Sequence, residues 1–369
     1  MIYLDYQATT PLAPEARAAM LPWLDQFGNP HSPHRIGREA AAAVEIATAQ
    51  VAAALGDAGG EGRTIFTSGA TEAANWALRG AVEGKRRKIV TIATEHACVL
   101  DTAAYLAQEG VELVVLRVQP SGLVDLNAAA AAIDEKTALV AAMLVNNEIG
   151  VIQPVAELAD LAHRVGALLF CDAVQGFGRV DLPLDACDLV AVSAHKIHGP
   201  KGIGALWLRD GLDWPTLIHG GGQQQGLRSG TLSPLLCAGF GAAAALAEQR
   251  RETDISHINA LSDLADNLFE HWRLNGDRTP RYGGNRNLRR EGIDAGRLIS
   301  EVREVAFSAG SACASGSGRP SHVLRALGLS EVQARGSIRL GFGRYTTQEE
   351  LREAAGLINQ AAALQLEWA

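Results

Sequence analysis

Short apolar runs alternate with stretches of helical periodicity between about Arg63 and Leu208, and this alternation limits the fold more than any other feature. Strands separated by helices of this length form βαβ units, which predict an α/β fold with a mostly parallel sheet and helices on both faces. In such sheets, ligands bind beyond the carboxyl ends of the strands. The predicted strands are 63–67, 88–93, 111–118, 138–145, 167–171, 189–193 and 203–208, and the predicted helices between them are 71–82, 99–108 and 154–165.

The pattern changes from about Pro234, where longer helical stretches begin. Helices are predicted at 234–251 and 256–275, and a mixed segment and a final amphipathic helix from about Glu349 follow them. A chain of 369 residues is long enough for two domains of roughly 100–200 residues each. We therefore expect a second, smaller domain from about residue 252.

The charge and cysteine content exclude several classes of protein. A formal net charge of −8, from 33 basic and 41 acidic residues, does not favour binding to a nucleic-acid backbone. We expect no membrane partner, because no apolar run approaches the roughly 18 residues of a membrane span. Residues 1–5 lack the features of a signal peptide, so we expect a cytoplasmic protein. The 5 cysteines include no C-x-x-C pair, which argues against a disulfide framework or a zinc ribbon.

A lysine and an aspartate end two neighbouring predicted strands. Lys196 follows the strand 189–193, where a partly desolvated amine could form a Schiff base. Asp172 ends the strand before it, and a carboxylate there can hold a pyridine nitrogen protonated. Taken singly, each has a plainer interpretation, a solvated lysine in a surface turn and a helix-capping aspartate. Together they point to pyridoxal phosphate more strongly than either does alone.

Polar residues also follow three other predicted strands. The segment 67–72 offers small residues and a helix start to an anion, although a capping turn without a ligand explains it equally well. His96 could stack on a flat ring and move protons, but a lone histidine is more often structural. The amides of residues 146–147 need hydrogen-bond partners, which are more often the backbone of the turn than a ligand.

The remaining candidates lie in the second half of the chain. Cys313 stands in a run of small residues, 309–318, which predicts a mobile loop and an exposed, nucleophilic thiol; an incidental cysteine is about equally probable from this pattern alone. The segment 219–231 is rich in glycine and polar residues. The arginines of 337–344 suit a substrate carboxylate, with a surface ion pair as the default alternative.

With these segments in order, the chain resembles the cysteine desulfurase family of pyridoxal-phosphate enzymes, NifS/IscS-like members of fold type I and the class-V aminotransferase group. The resemblance runs nearly from end to end and is carried by many short motifs in the right order. These motifs are 4–11, 27–30, 68–72, 95–96, 146–150, 172–175, 193–196, 230–231, 310–313 and 337–344.

The resemblance implies a role for each matching residue. Pyridoxal 5′-phosphate would be held covalently by Lys196, with Asp172 at the pyridine nitrogen, Gln175 at the phenolic oxygen and His96 stacked on the ring as a proton-transfer group. The phosphate would be bound by four residues, Ala70, Thr71, Ser193 and His195.

The resemblance also implies the substrate site and the partners. Asn146 and Arg339 would hold the carboxylate of L-cysteine, and Cys313 would take its sulfur as a persulfide. A homodimer is implied, in which Thr231 reaches the phosphate of the other subunit. The sulfur would pass to an acceptor protein, an iron–sulfur scaffold or a tRNA-thiolation protein.

The family pattern further suggests the division into domains. A large cofactor-binding domain would span residues 14–251. Residues 1–13 and 252–369 would form the small domain, which carries the cysteine loop at about 308–320. The segment 285–290, Asn-Arg-Asn-Leu-Arg-Arg, departs from this pattern, because it is far more polar than the apolar strand usual there.

Two other functions compete with a desulfurase. One is another pyridoxal-phosphate enzyme on the same fold, a selenocysteine lyase or an aminotransferase, which Asp172 and Lys196 would serve equally well. The other is a sulfur carrier or regulatory partner that keeps the fold without turnover. Cys313 argues against an aminotransferase, and the complete set of Lys196, Asp172, His96 and Cys313 argues against a protein without catalysis.

Overall fold

The computed structural model describes residues 1–310 and 321–367, and the prediction for Cys313 therefore lies outside the described residues. The α-helices within this part of the chain are α1 (Pro14–Met20), α2 (Arg35–Leu55), α3 (Ala70–Ala81), α4 (Ala97–Gln108), α5 (Leu126–Ala132), α6 (Val155–Arg164), α7 (Pro234–Gln249), α8 (Arg251–Leu268), α9 (Ala295–Glu301), α10 (His322–Ala326), α11 (Glu331–Arg335) and α12 (Gln348–Glu367). The strands are β1 (Ile2–Tyr3), β2 (Gly62–Thr67), β3 (Lys88–Ile92), β4 (Glu112–Leu116), β5 (Thr137–Met143), β6 (Leu168–Asp172), β7 (Leu189–Ser193), β8 (Gly204–Arg209), β9 (Arg273–Leu274), β10 (Asn285–Arg289), β11 (Val305–Ala306) and β12 (Ser337–Gly341).

A 7-stranded sheet forms the centre of the molecule, in the order β2-β8-β7-β6-β5-β3-β4. The strands β3 to β7 pair in parallel, and β8 runs antiparallel to both of its neighbours. Every residue of β5 and β7 is buried, as expected for strands that are covered on both faces. The predicted α/β fold with a mostly parallel sheet is confirmed.

Helices cover both faces of this sheet because successive side chains of a strand point to opposite sides. In β5, Leu139 and Ala141 pack into a core with α3 and α4. Val140 and Ala142 pack on the other side, into a core with α2, α6 and α7. These two apolar layers fix the strands, and the loops at their carboxyl ends are therefore held in defined positions.

A further core lies among the C-terminal elements. It combines apolar residues of α8, α9 and α12 with the small antiparallel sheet β12-β10-β9, and Ile2 and Leu4 from the N-terminus join it. The strand β1 contributes by pairing in parallel with β11. The domain boundaries expected from the sequence stay a prediction.

The predicted helix 256–275 is wrong at both ends. The helix α8 begins at Arg251, directly after α7, and ends at Leu268. Arg273 and Leu274 instead form β9, which pairs with Arg289 and Leu288 of β10. Long-range strand pairing therefore replaces the last turns that the helical pattern favoured.

The polar segment that departs from the family pattern forms the strand β10. Asn285 and Asn287 are buried, and their amides donate hydrogen bonds to the carbonyls of Asn147 and Glu148, at 3.2 and 3.1 Å. The Asn287 amide oxygen accepts a hydrogen bond from Asn275 at 2.7 Å. The polarity of β10 thus serves contacts between this strand and the loop that follows β5.

Candidate active site

A cavity of about 460 Å³ opens beyond the carboxyl ends of the central strands. It lies where a doubly wound sheet places its ligands, since β6 ends at Asp172 and β7 at Ser193. Six residues that the sequence singled out line this cavity: Ala70, Thr71, His96, Asp172, Ser193 and His195. Residues from four separate stretches of the chain therefore meet at one place.

Lys196 follows β7 in a single turn of 3-10 helix, and its side chain is turned toward the N-terminal segment. Its Nζ donates hydrogen bonds to the carbonyls of Gln7 and Ala8, the latter at 2.8 Å. Burial, followed by the positive charges of Arg179 and Arg339, lowers the pKa of Lys196 to about 7. At neutral pH a large fraction of this amine is unprotonated and able to act as a nucleophile or a base.

Asp172 is buried at the end of β6. Burial raises the pKa of its carboxyl group, and His96, a backbone hydrogen bond and Lys196 act against that rise. The backbone hydrogen bond comes from the N–H of Val174 to Oδ1 at 3.0 Å, so Asp172 stabilises its own turn as well. A positive charge brought next to this carboxylate would be strongly stabilised because the surroundings are desolvated.

His96 caps the N-terminus of α4. Its Nδ1 accepts a hydrogen bond from the N–H of Cys98 at 3.2 Å. When the ring is neutral, this bond fixes its proton on Nε2. The ring orientation is thus held by the helix and not by a neighbouring side chain.

The start of α3 lies on the wall of the cavity. The N-cap position belongs to Gly69, and no side chain forms a capping hydrogen bond at this helix start. Gly69 lies so close to Gly204 of β8 that a Cβ on Gly204 would stand 2.9 Å from the Gly69 backbone. The first N–H groups of a helix lack partners within the helix, so they suit a phosphate.

His195 and Gln175 also contact the N-terminal segment to which Lys196 donates its hydrogen bonds. Burial, and then the charge of Lys196, lower the pKa of His195 to about 4, so the ring is neutral at pH 7. Its Nδ1 lies 3.1 Å from Oγ1 of Thr9. Gln175 donates from Nε2 to the carbonyl of Gln7 at 2.9 Å, the carbonyl that Lys196 also uses.

Arg339 and Asn146, the predicted substrate residues, lie beside the loop after β5. Arg339 is 1% exposed and donates to Oδ1 of Asp5 at 2.7 Å and to the carbonyl of Asn147 at 3.1 Å. Its Nε is buried and has no partner within the described residues. The Asn146 amide donates to the Thr94 carbonyl at 2.8 Å and accepts from two N–H groups of its own turn at 2.9 Å. The oxygen of the Asn146 amide thus supports its own turn, and its nitrogen joins that turn to the segment after β3.

Thr231 is not among the residues that line the cavity in this chain. It is exposed and follows Gly230, whose φ of 117° lies in the region that favours glycine. Its predicted contact with the other subunit stays a prediction.

Four residues at the site were missed by the sequence analysis: Gln7, Thr9, Cys98 and Arg179. Cys98 is a free thiol on the cavity wall, and burial followed by the charge of Asp172 raises its pKa. It is therefore a poor thiolate despite its position. Gln7 and Thr9 lie within the motif 4–11, which was the signal that could have pointed to them.

The site fits pyridoxal phosphate. The buried carboxylate of Asp172 and the start of α3 line this cavity, and Lys196, the residue directly after His195 on its wall, lines a second cavity with Arg179. A deprotonatable amine, a carboxylate and a helix start match the aldehyde, the ring nitrogen and the phosphate of that cofactor. Within residues 1–310 and 321–367, no group of three or more His, Cys, Asp or Glu side chains could hold a metal ion. No helix in the same part of the chain is long and apolar enough to cross a membrane.

Solved structures of similar fold are nearly as long as this chain. One is a NifS-like protein that is 31% identical, with a TM-score of 0.91 over 98% of this chain and 99% of the other. Another, described as SspA in complex with cysteine, is 32% identical, with a TM-score of 0.84 over 94% and 100% of the two chains. These matches place the fold among NifS-like enzymes.

Sequence comparisons lead to the same group. The family Aminotransferase class-V matches residues 2–353. A cysteine desulfurase IscS of Rickettsia bellii (strain OSU 85-389) is 45% identical over 97% of this chain and 90% of its own length. The corresponding protein of Rickettsia africae (strain ESF-5) is 44% identical over the same shares. The chain therefore belongs to the class-V aminotransferase family and, within it, to the pyridoxal-phosphate-dependent cysteine desulfurases of the NifS and IscS type.

Proposed function

We propose that this chain converts L-cysteine to L-alanine with Lys196, Asp172 and His96 at the cofactor, and carries the sulfur as a persulfide on Cys313. The observation that supports this assignment best is the position of Lys196. Its amine has a pKa lowered to about 7 and lies after β7, next to the strand that ends in Asp172. Both features are needed by an enzyme that links a cofactor to a lysine.

Pyridoxal phosphate, when bound, supplies an electron sink for the bonds at the substrate Cα. Asp172 would hold a proton on the ring nitrogen, because its desolvated carboxylate favours a positive neighbour. Lys196 would take the proton from Cα, since its amine is largely neutral at pH 7. His96 would pack on the ring face and donate or accept a proton at Nε2, while Nδ1 keeps its bond to Cys98. Gln175 would donate its Nε2 hydrogen to the phenolic oxygen.

The anionic ends of the cofactor and of the substrate would be bound at separate places. We assign the cofactor phosphate to the N–H groups that open α3 and to the side chains of Thr71, Ser193 and His195, with Ala70 contributing backbone. The carboxylate of cysteine would lie at Arg339, whose buried Nε has no partner in the described structure. Asn146 would help to hold this carboxylate by stabilising the turn after β5.

The sulfur step needs a thiolate. The Cys313 sulfur would attack the sulfur of the substrate, forming an S–S bond while the Cβ–S bond breaks and leaves its electron pair on carbon. Two protons then complete alanine, so the sum is one enzyme thiol and one cysteine giving one persulfide and one alanine. No external oxidant is required.

Several further assignments belong to the same proposal. We propose a homodimer in which the exposed Thr231 reaches the phosphate of the partner subunit, and a cytoplasmic location. The large domain would comprise 14–251, and 1–13 with 252–369 would form the small domain, which agrees with a C-terminal core that includes Ile2 and Leu4. The sulfur acceptor would be an iron–sulfur scaffold or a tRNA-thiolation protein.

Alanine release from L-cysteine by the cofactor-loaded protein, with a reductant present, tests the proposal. Lys196→Ala and Cys313→Ala should both abolish multiple turnover. Cys237→Ala is the matched control, because this thiol is buried on α7 away from the cavity, and it should keep wild-type turnover. Full alanine release by Cys313→Ala would make a lyase the better assignment. If alanine release were lost in Cys98→Ala and kept in Cys313→Ala, Cys98 would be the residue that accepts the sulfur. If the wild-type protein binds the cofactor and releases no alanine, the assignment of L-cysteine as its substrate is refuted.

A further inference from the structure

We propose that Arg179 is a positioning residue of this site, which fixes the orientation of the Gln175 amide and keeps a positive charge behind Lys196. This role rests on the proposed functions of Lys196 and Gln175, because Arg179 contacts both residues. Arg179 lies in the turn region after β6, outside every motif that the sequence singled out.

Arg179 is held by neutral groups. Its Nη1 donates to Oε1 of Gln175 at 2.7 Å, and its Nη2 donates to the carbonyl of Lys196. Its guanidinium lies over the ring of Tyr282, 5.3 Å from the centroid. Among the described residues, no carboxylate lies within 4.0 Å of Arg179, in contrast to Arg344 nearby, which pairs with Asp254 at 2.7 Å. The charge of Arg179 is therefore not cancelled locally.

This contact decides which way the Gln175 amide points. A guanidinium has five donors and no acceptor, so it can face only the amide oxygen of Gln175. The Nε2 group must then point the other way, where it donates to the Gln7 carbonyl at 2.9 Å. Gln175 is 4% exposed, so water would not replace these two hydrogen bonds if the amide were flipped. Toward the cofactor, Gln175 can therefore offer only a donor, which suits an anionic oxygen.

The second effect is electrostatic. After burial, the charge of Arg179 is the largest influence that lowers the pKa of Lys196, and Arg339 comes next. Asp5 and Asp172 act in the opposite direction. A positive charge disfavours a second positive charge, so removing Arg179 should raise the pKa of the Lys196 nitrogen.

The remaining titratable neighbours do not replace this charge. His195 is neutral at pH 7, because burial and Lys196 lower its pKa to about 4. Burial raises the pKa of Tyr282, which stays neutral beneath Arg179. Arg344 forms an ion pair with Asp254 at 2.7 Å. Arg179 is thus the cation whose removal the Lys196 nitrogen should sense most.

The test is a pH titration of the visible absorption of the cofactor-loaded protein. We expect Arg179→Met to raise the midpoint by about one pH unit. Arg179→Lys, which keeps the charge, should stay within about 0.3 unit of the wild type. Arg86→Met is the matched control, because Arg86 also donates to backbone carbonyls, those of Val165 and Thr137, at 2.8 and 3.3 Å. These carbonyls lie at the amino ends of β6 and β5, the edge of the sheet away from the cavity. The midpoint of Arg86→Met should not move.

Cofactor release on dilution tests the orientation of Gln175. Arg179→Met should speed release about tenfold in the wild-type background and much less in a Gln175→Ala background, because the two residues act through one contact. Equal acceleration in both backgrounds would overturn this part of the inference. If Arg179→Met does not retain cofactor, Arg179→Gln and Arg179→Lys take its place, and the neutral variant must show the higher midpoint.

The outcomes separate this inference from the proposed function. An unchanged midpoint in Arg179→Met, or an equal shift in Arg86→Met, overturns the charge role while Lys196 keeps its assignment. If Lys196→Ala shows the same pH-dependent band as the wild type, the assignment of Lys196 itself fails, and this inference fails with it.

Discussion

Lys196 and Arg339 are both basic residues near the active site, and the protein supports them in opposite ways. Lys196 has no carboxylate within 4.0 Å among the described residues; its Nζ bonds to two backbone carbonyls, and its pKa is lowered to about 7. Arg339 forms an ion pair with Asp5 at 2.7 Å and also bonds to a backbone carbonyl. Within the described part of the chain, the lysine, which must lose its proton, thus has no carboxylate in direct contact to stabilise its protonated form. The arginine, which must keep its charge, is held in place by an ion pair.

The same contrast extends to the surroundings of each cation. Beside Lys196, Asp172 is buried and its pKa is raised, which marks a site prepared for a ligand. Beside Arg339, Asp5 also accepts a hydrogen bond from Ser308 at 2.9 Å, and the amides of β10 bond to the neighbouring loop. The two groups with shifted pKa values, Lys196 and Asp172, therefore lie at the end of the 7-stranded sheet. The groups held by several hydrogen bonds lie beside the 3-stranded sheet. Each prediction below tests one side of this comparison.

Asp172→Asn should have the largest effect. An amide cannot hold a proton on the ring nitrogen, so kcat for alanine formation should fall on the order of 10³-fold. Asp188→Asn is the matched control, because Asp188 is also buried and bonds to the N–H of Leu169 at 2.7 Å, away from the cavity. Steady-state kinetics of both variants decide the matter, and an Asp172→Asn enzyme within tenfold of the wild type would remove this residue from the mechanism.

The lowered pKa of Lys196 should appear as a stability penalty in the cofactor-free protein. Between the folded pKa of about 7 and the unfolded value of 10.5, the unfolded chain binds more protons, so stability rises with pH. Relative to Lys196→Met, the wild type should therefore gain about 3 kcal/mol in free energy of unfolding from pH 6 to pH 9. Denaturant unfolding at the two pH values measures this gain.

Lys88 provides the control with the opposite sign. It is buried, but it pairs with Asp134 at 2.8 Å and with Glu112 at 3.5 Å. Desolvation lowers the pKa of Lys88, and these two carboxylates outweigh that effect, so the pKa is raised. The stabilisation from protonated Lys88 is fully present below pH 10.5. Lys88→Met should therefore lower the free energy of unfolding by the same amount at pH 6 and at pH 9. The comparison with Lys196→Met could also give a change in the free energy of unfolding between pH 6 and pH 9 that is no larger than the change for Lys88→Met. In that case the folded protein does not lower the pKa of Lys196.

The sequence predicted the strands of the large sheet because their apolar runs are about as long as the strands themselves, and β7 agrees residue by residue at 189–193. It also placed Lys196, Asp172 and His96 near one another, since the carboxyl ends of parallel strands meet at one edge. It could not predict Arg179 or the Gln7 carbonyl, because these act through contacts between residues far apart in the chain. The helix predicted at 256–275 failed for the same reason, as the pairing of β9 with β10 is not visible in local periodicity.

Arg339→Gln should have the smallest effect and should act on binding. Glutamine keeps one hydrogen-bond donor but loses the charge, and a charged hydrogen bond contributes about 1.5–3 kcal/mol, so the KM for L-cysteine should rise about 10- to 100-fold with little change in kcat. Arg286→Gln is the matched control: Arg286 is buried on β10 and pairs with Asp266 at 2.9 Å, so its loss should destabilise the fold without changing KM. If Arg339→Gln lowers stability as Arg286→Gln does and leaves KM unchanged, the locked arginine is a structural residue and the substrate carboxylate binds elsewhere. If KM rises while kcat holds, Arg339 is rigid because it must meet a carboxylate without rearranging, which is the role that its ion pair with Asp5 prepares.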